Sequence, residues 1–173
     1  MKQILLIPVL LLSMLSFGQK CIKKNNLSFA ARIKKYPFNV AAQVQMIGYN
    51  GLLRMPEDGR DFYVDKDFVK VPILETKTLT AVQIDSLTNI LYNYGYAYPP
   101  RVYRTEDCYD PHNAIIFRDK NGNPLEFMEI CFECKNTTLS DWKKMSLGDM
   151  CDQKLDLLKK LFQQVGVQSG VSE

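Results

Sequence analysis

Residues 113–131 read Asn113-Ala114-Ile115-Ile116-Phe117-Arg118, then Asp119-Lys120-Asn121-Gly122-Asn123-Pro124, then Leu125-Glu126-Phe127-Met128-Glu129-Ile130-Cys131. Two apolar runs flank a polar connection carrying Asn-Gly, the dipeptide that best tolerates the positive φ angles of a tight hairpin turn. The spacing predicts two antiparallel strands folded back at Asn121-Gly122. That register sets His112 across from Cys131, and Cys108 across from Cys134 or its neighbour, so that sulfur atoms gather at the open end of the hairpin.

Upstream, Phe38, Val40, Ala42, Val44 and Met46 alternate with polar residues up to Ile47, as a half-buried strand does. Gly48 to Gly59 is rich in turn formers and reads as a loop. A second extended stretch follows from about Phe62 to Glu75, interrupted at Pro72. A short helix is expected over Leu27 to Lys35. Thr80 with Gln83 three residues on forms a capping box, and Ile84, Leu87, Leu91 and Tyr94 recur at helical spacing up to Gly95 as its cap. Downstream, Asp149 to Val165 carries Cys151, Leu155, Leu158 and Phe162 on one stripe and ends at Gly166. This order predicts a single α+β domain over residues 19–167, a small antiparallel sheet of about four strands with helices packed mainly on one face. Residues 168–173 read as a disordered tail.

The N-terminus has the tripartite pattern of a cleaved bacterial export signal: Lys2, an apolar run from Ile4 to Leu15, and the small residues Ser16 and Gly18. The chain is therefore expected to be periplasmic or secreted, with no membrane span after cleavage. Cys21 raises the alternative of a lipid-bearing cysteine, but Lys20 stands where such sites need a small residue. The 22 basic residues fall to 21 once Lys2 leaves with the signal, against 19 acidic, a net charge of +2. The charges are interspersed, and the densest basic cluster, Lys20, Lys23, Lys24, Arg32, Lys34 and Lys35, reads as a solvated face rather than a nucleic-acid site.

Cys21, Cys108, Cys131, Cys134 and Cys151 make an odd set, so one thiol is left over, and Cys21, near a terminus, is the expected odd one. Three chemistries compete for the rest. Disulfides among Cys108, Cys131, Cys134 and Cys151 suit an exported chain. Cys108, His112, Cys131 and Cys134 have the types and spacing of a tetrahedral zinc site, or of a copper(I) site. Cys131-Phe132-Glu133-Cys134 is also a C-x-x-C redox spacing, although it ends a strand rather than opening a helix and holds a glutamate that opposes thiolate formation. Separately, Tyr92, Tyr94, Tyr96, Tyr98 and Tyr103 crowd one segment. Of these Tyr96, Tyr98 and Tyr103 are candidates for binding a protein or cell-envelope component, against the blander reading of rings lying flat over the core.

Cys108-Tyr109-Asp110-Pro111, Ala114-Ile115-Ile116-Phe117 and Ile130-Cys131-Phe132-Glu133-Cys134 together resemble a group of uncharacterised exported bacterial proteins with a C-Y-x-P…A-I-x-F…I-C-F-x-C signature. The resemblance covers mainly residues 76 to 166, includes a cysteine like Cys151 at the start of the last helix, and implies no activity. Those relatives tend to carry arginine where this chain has His112, a departure that weakens the metal reading.

Other chemistries lack their residues. There is no G-x-S-x-G elbow to use the single histidine, no phosphate-binding glycine loop, and the carboxylate pairs Glu126 with Glu129 and Glu57 with Asp58 are explained by solvation. The expectation is a non-enzymatic exported domain without cofactor, folded around a cysteine-stapled hairpin and binding a partner. A zinc, copper or thiol-redox module is the alternative.

Overall fold

In the computed structural model, which describes residues 21–50, 73–98, 108 and 110–171, the chain does fold back at Gly122, whose φ of 85° is the left-handed conformation the turn needs. Asp119 shapes that turn, its Oδ1 accepting from the backbone N–H groups of Asn121 and Asn123, both at 2.8 Å. Asn113 stands opposite Ile130 and Ile115 opposite Met128, the register read from the sequence.

In chain order the elements are β1 (Cys21–Lys23), α1 (Phe29–Arg32), β2 (Gln43–Tyr49), β3 (Ile73–Thr78), α2 (Ala81–Asn93), β4 (Tyr94–Tyr96), β5 (Asn113–Arg118), β6 (Pro124–Cys131), β7 (Asn136–Leu139) and α3 (Asp152–Val165). The main sheet is antiparallel, in the order β3-β2-β5-β6-β7, and β1 pairs with β4 in a separate two-stranded sheet. The class is α+β, but the expected single sheet of about four strands is corrected to a five-stranded sheet plus a two-stranded one.

The additions have identifiable causes. β7 is the polar run Asn136 to Leu139, which shows no apolar alternation because it is an edge strand whose pairing with β6 carries it. Gly95 does not cap α2. The helix stops at Asn93 with Tyr94 already extended, and Gly95 pairs with Ile22. Phe38 is buried but lies in the turns before β2, and Val40 is exposed. The tail, expected to be disordered, is packed as far as Val171. Val167 and Val171 are buried, and the Gln168 and Ser169 amides donate to Glu75 Oε2 at 2.7 and 2.8 Å.

Val44 and Met46 of β2, Ile115 and Phe117 of β5, and Met128 and Ile130 of β6 form one sheet face under α2 and α3, which contribute Leu87, Leu91, Leu155, Leu158 and Phe162 to the same core. The other face buries Ile47, Tyr49, Ala114, Ile116 and Phe127. Burial on both faces is why β5 reads as a continuous apolar run instead of an alternating one. Within the second face the Tyr49 hydroxyl donates to Glu129 at 3.1 Å, which lets a carboxylate sit in an apolar layer.

The expected export signal, most of the loop and extended stretch from Gly48 to Pro72, and Tyr103 lie outside the described residues.

Candidate functional site

The N-terminal turn of α3 is where the chemistry-bearing residues converge. Cys151 is its N-cap, in extended conformation and without a side-chain capping bond. Its sulfur is paired with Cys21, 130 residues away in sequence, across a Cα separation of 5.8 Å. The Cys21 amide also donates to Gln153 Oε1 at 3.2 Å, and Cys21 pairs with Tyr96 in the small sheet. One covalent link therefore ties β1, β4 and α3 together.

Lys154, one turn in, is fully buried. Its Nζ donates to three backbone carbonyls: Leu91 at 2.6 Å, Leu147 at 3.0 Å and Asp149 at 2.8 Å. Leu91 lies in the last turn of α2, whose carbonyls have no partner within the helix, so the ammonium satisfies that end and favours its dipole. Burial pushes the lysine down to about 8, with Asp149 partly opposing. Gly148 makes room for it: φ is 74°, and a Cβ there would stand 2.9 Å from the Leu91 carbonyl oxygen.

The second cysteine pair lies further along α3. Cys131 ends β6, Asn136 opposite it opens β7, and residues 132–135 form the turn between them. Cys131 and Cys134 are at bonding distance from each other, Cα to Cα 5.2 Å, and are only 2% and 3% exposed. The Cys134 amide donates to the Cys131 sulfur at 3.1 Å. Phe132 packs edge-on to Phe162 at 5.5 Å between centroids, and Lys135 reaches Asp152 at 3.0 Å. Both pairs thus bear on α3, one at its N-cap and one through the turn that contacts Asp152 and Phe162.

This pairing corrects the sequence reading in two respects. Cys21 is bonded and Cys108 is the free, exposed thiol, so the expected bridges from Cys108 to Cys131 or Cys134 are not formed. Cys131 and Cys134 share a bond with each other, which removes two sulfurs from the zinc or copper quartet. His112 faces Asp110 at 3.4 Å instead, and among the described residues no group of three or more His, Cys, Asp or Glu is placed to hold a metal ion. Of the aromatic candidates, Tyr96 is half-buried in β4, Tyr98 is 84% exposed, and Tyr92 is core.

A second polar cluster lies where β6 meets β7. Glu126, itself buried, accepts from the Tyr36 hydroxyl and from the Ser140 hydroxyl, while Ser140 Oγ accepts from the Phe127 amide at 2.9 Å. Burial, and then the Glu126 carboxylate, push the Tyr36 phenol up to about 12. Through these two hydroxyls Glu126 fastens the chain before β2 to the β6 edge.

Sequence reasoning missed Lys154 and Glu126. For Lys154 a signal existed, because it lies three residues after Cys151 and four before Leu158, on the apolar stripe of α3, where a lysine needs a buried partner. The pair Glu126 and Glu129, read as solvated, is instead buried, and the partners of Glu126 had no local signal, because Tyr36 and Ser140 reach it from distant parts of the chain.

No protein-family model, no curated protein and no solved structure matches the chain. No described helix is long and apolar enough to cross a membrane, and two cysteine pairs at disulfide distance accord with an oxidising, extracellular setting.

Proposed function

We propose that the chain is an exported, disulfide-stapled α+β domain, periplasmic or secreted, that acts by binding a partner rather than by catalysis. The observation that carries this reading is the Cys21–Cys151 pair, which brings a cysteine at the start of the mature chain onto the last helix. A link of that span forms where thiols oxidise, and it occupies the sulfur that lipid attachment would need. The buried polar groups are engaged in holding the fold: Lys154, beside that link, by three carbonyls, and Glu126, in the separate β6–β7 cluster, by two hydroxyls. Tyr98, just past β4, is the aromatic candidate open to a protein or cell-envelope partner.

The similarity to exported proteins with the C-Y-x-P…I-C-F-x-C signature supports export and stops there. A thiol-redox role for Cys131-Phe132-Glu133-Cys134 has in its favour that the two sulfurs are within bonding distance. Against it stands their burial: exchange needs a thiolate to approach a sulfur from outside, and the pair sits in a strand-to-strand turn rather than opening a helix.

The test is a thiol count on the full chain produced with residues 1–18 in a bacterial host and recovered from the periplasm or medium. The mature N-terminus is expected near Gln19. Alkylation in denaturant without reductant is expected to label Cys108 alone, and with reductant all five cysteines. Labelling of Cys21 and Cys151 before reduction, or retention of the first eighteen residues, overturns the reading.

A further inference from the structure

The outer edge of β3 carries a backbone and charge pattern that no described strand pairs with, although one carboxylate oxygen of Glu75, Oε2, accepts from the Gln168 and Ser169 amides. Among the described residues β3 has a neighbour on one side only, β2, and five of its six residues are exposed. The Leu79 amide donates to the Val44 carbonyl at 2.9 Å, and Lys77 and Glu75 stand opposite Met46 and Gly48 in the same phase of the ladder. In an antiparallel ladder the hydrogen-bonded pairs alternate, so Thr76 and Thr78 direct their backbone N–H and C=O groups away from β2, toward the open edge. An edge of this kind templates a further strand unless something blocks it.

Glu75 and Lys77 are charges of the sort that guard an edge, but their spacing makes the guard self-complementary. When two β3 strands meet antiparallel about a two-fold axis at Thr76, the two Thr76 residues exchange backbone hydrogen bonds. Glu75 of each copy then stands opposite Lys77 of the other in the closer, non-hydrogen-bonded positions, about 4.5 Å apart at Cα. Opposite charges placed so are favourable, like charges unfavourable. A centre at Glu75 or Lys77 would set like charges against each other with the wrong backbone groups outward, and a centre at Leu74 or Thr78 would separate Glu75 from Lys77 of the other copy. A bulge between Gly48 and Tyr49 leaves Leu74 out of register, which keeps the ladder short.

The geometry points to β3 as a self-association edge: two copies of this chain pair antiparallel through Glu75-Thr76-Lys77 about an axis at Thr76, joining two five-stranded sheets into one. The interface is isologous, as a two-fold dimer requires. It is short, so the dimer is concentration-dependent.

Sedimentation of the full, disulfide-intact chain over a range up to about 1 mM is expected to show a monomer–dimer equilibrium, since dissociation constants in the micromolar to millimolar range suit a short edge ladder. Thr76→Pro removes an outward N–H and leaves the β2 ladder intact; it is expected to abolish the dimer with the thermal midpoint unchanged. Lys77→Glu opposes Glu75 with a like charge, and is expected to weaken dimerisation at least tenfold even should the proline variant fail to fold. Register is read by cysteines introduced in a Cys108→Ser background. Thr76→Cys is expected to form a covalent dimer on oxidation, its Cα atoms about 5.5 Å apart, whereas Thr78→Cys, about 13 Å from its own copy at the strand rise, is not. A chain monomeric throughout the range, a dimer indifferent to both Thr76→Pro and Lys77→Glu, or Thr78→Cys crosslinking as readily as Thr76→Cys, each overturns the assignment.

Discussion

The two cysteine pairs flank the same helix and have nearly the same Cα separations, 5.8 Å for Cys21–Cys151 and 5.2 Å for Cys131–Cys134, yet they join residues 130 and 3 apart in sequence. What distinguishes them is the freedom each removes from the unfolded chain. In the loop-entropy account, closing the long loop contributes about 5 kcal/mol and closing the short one about 2 kcal/mol. Their surroundings sharpen the contrast. The short link closes a turn already held by the β6–β7 ladder, the Phe132–Phe162 contact and the Lys135–Asp152 bridge. The long link holds β1 and β4, three residues each, and a two-stranded sheet of that size is marginal alone. A disulfide matters most where the chain has least else to hold it.

The comparison breaks most directly at the long link. Cys21→Ser with Cys151→Ser is expected to lower unfolding stability by about 4–5 kcal/mol, read from the urea midpoint, and to release amide protection over β1 and β4. Cys131→Ser with Cys134→Ser should cost about 2 kcal/mol or less; equal losses in the two double variants would sink the loop-length account.

Lys154 comes between them in size. Lys154→Met leaves the Leu91, Leu147 and Asp149 carbonyls without their donor and is expected to cost about 2–4 kcal/mol. It also carries a pH signature. The folded lysine releases its proton near 8, whereas its ordinary value is 10.5. Between these the unfolded chain binds the extra proton, so stability rises with pH. Tyr36 works the other way: folded, it titrates near 12 against an ordinary 10.0, the unfolded chain loses its proton first, and stability falls above about pH 10. Tyr92, whose phenol burial raises further still, acts in the same direction, so thermal melts across this range should rise and then fall, with Lys154→Met removing the rise and Tyr36→Phe weakening the fall.

The smallest effect is expected at Lys135, in the short turn. Its φ of 50° is left-handed, a conformation that costs a residue with a Cβ about 1–2 kcal/mol. Lys135→Ala keeps that cost, loses an exposed ion pair, and should destabilise by less than about 1 kcal/mol. Lys135→Gly relieves the strain and should match or exceed the parent; urea unfolding of the two side by side separates conformation from charge.

Several elements were legible because neighbouring residues specify them. Asn121-Gly122 supplied the turn and its register. Thr80 and Gln83 predicted the start of α2, where both capping bonds are made. The stripe from Cys151 to Phe162, followed by Gly166 at φ 91°, marked α3. The candidate site was less legible. The cluster of Cys108, His112, Cys131 and Cys134 followed from extending the β5–β6 register past its end, but β6 turns into β7 after Cys131, and that turn brings Cys134 back to Cys131. β7 itself, and the docking of residues 167–171, leave no periodic trace because pairing and burial by other parts of the chain hold them in place.

Sequence alone determined the turns, caps and helical stripes, since each depends on backbone angles and side chains within a few residues of one another, together with the presence of five cysteines. Only the tertiary structure decided which sulfurs meet, that both sheet faces are buried, and that Lys154 closes the end of α2. Those outcomes depend on the relative placement of segments as much as 130 residues apart, and such placement is set by packing and sheet order, which no local window of the chain contains.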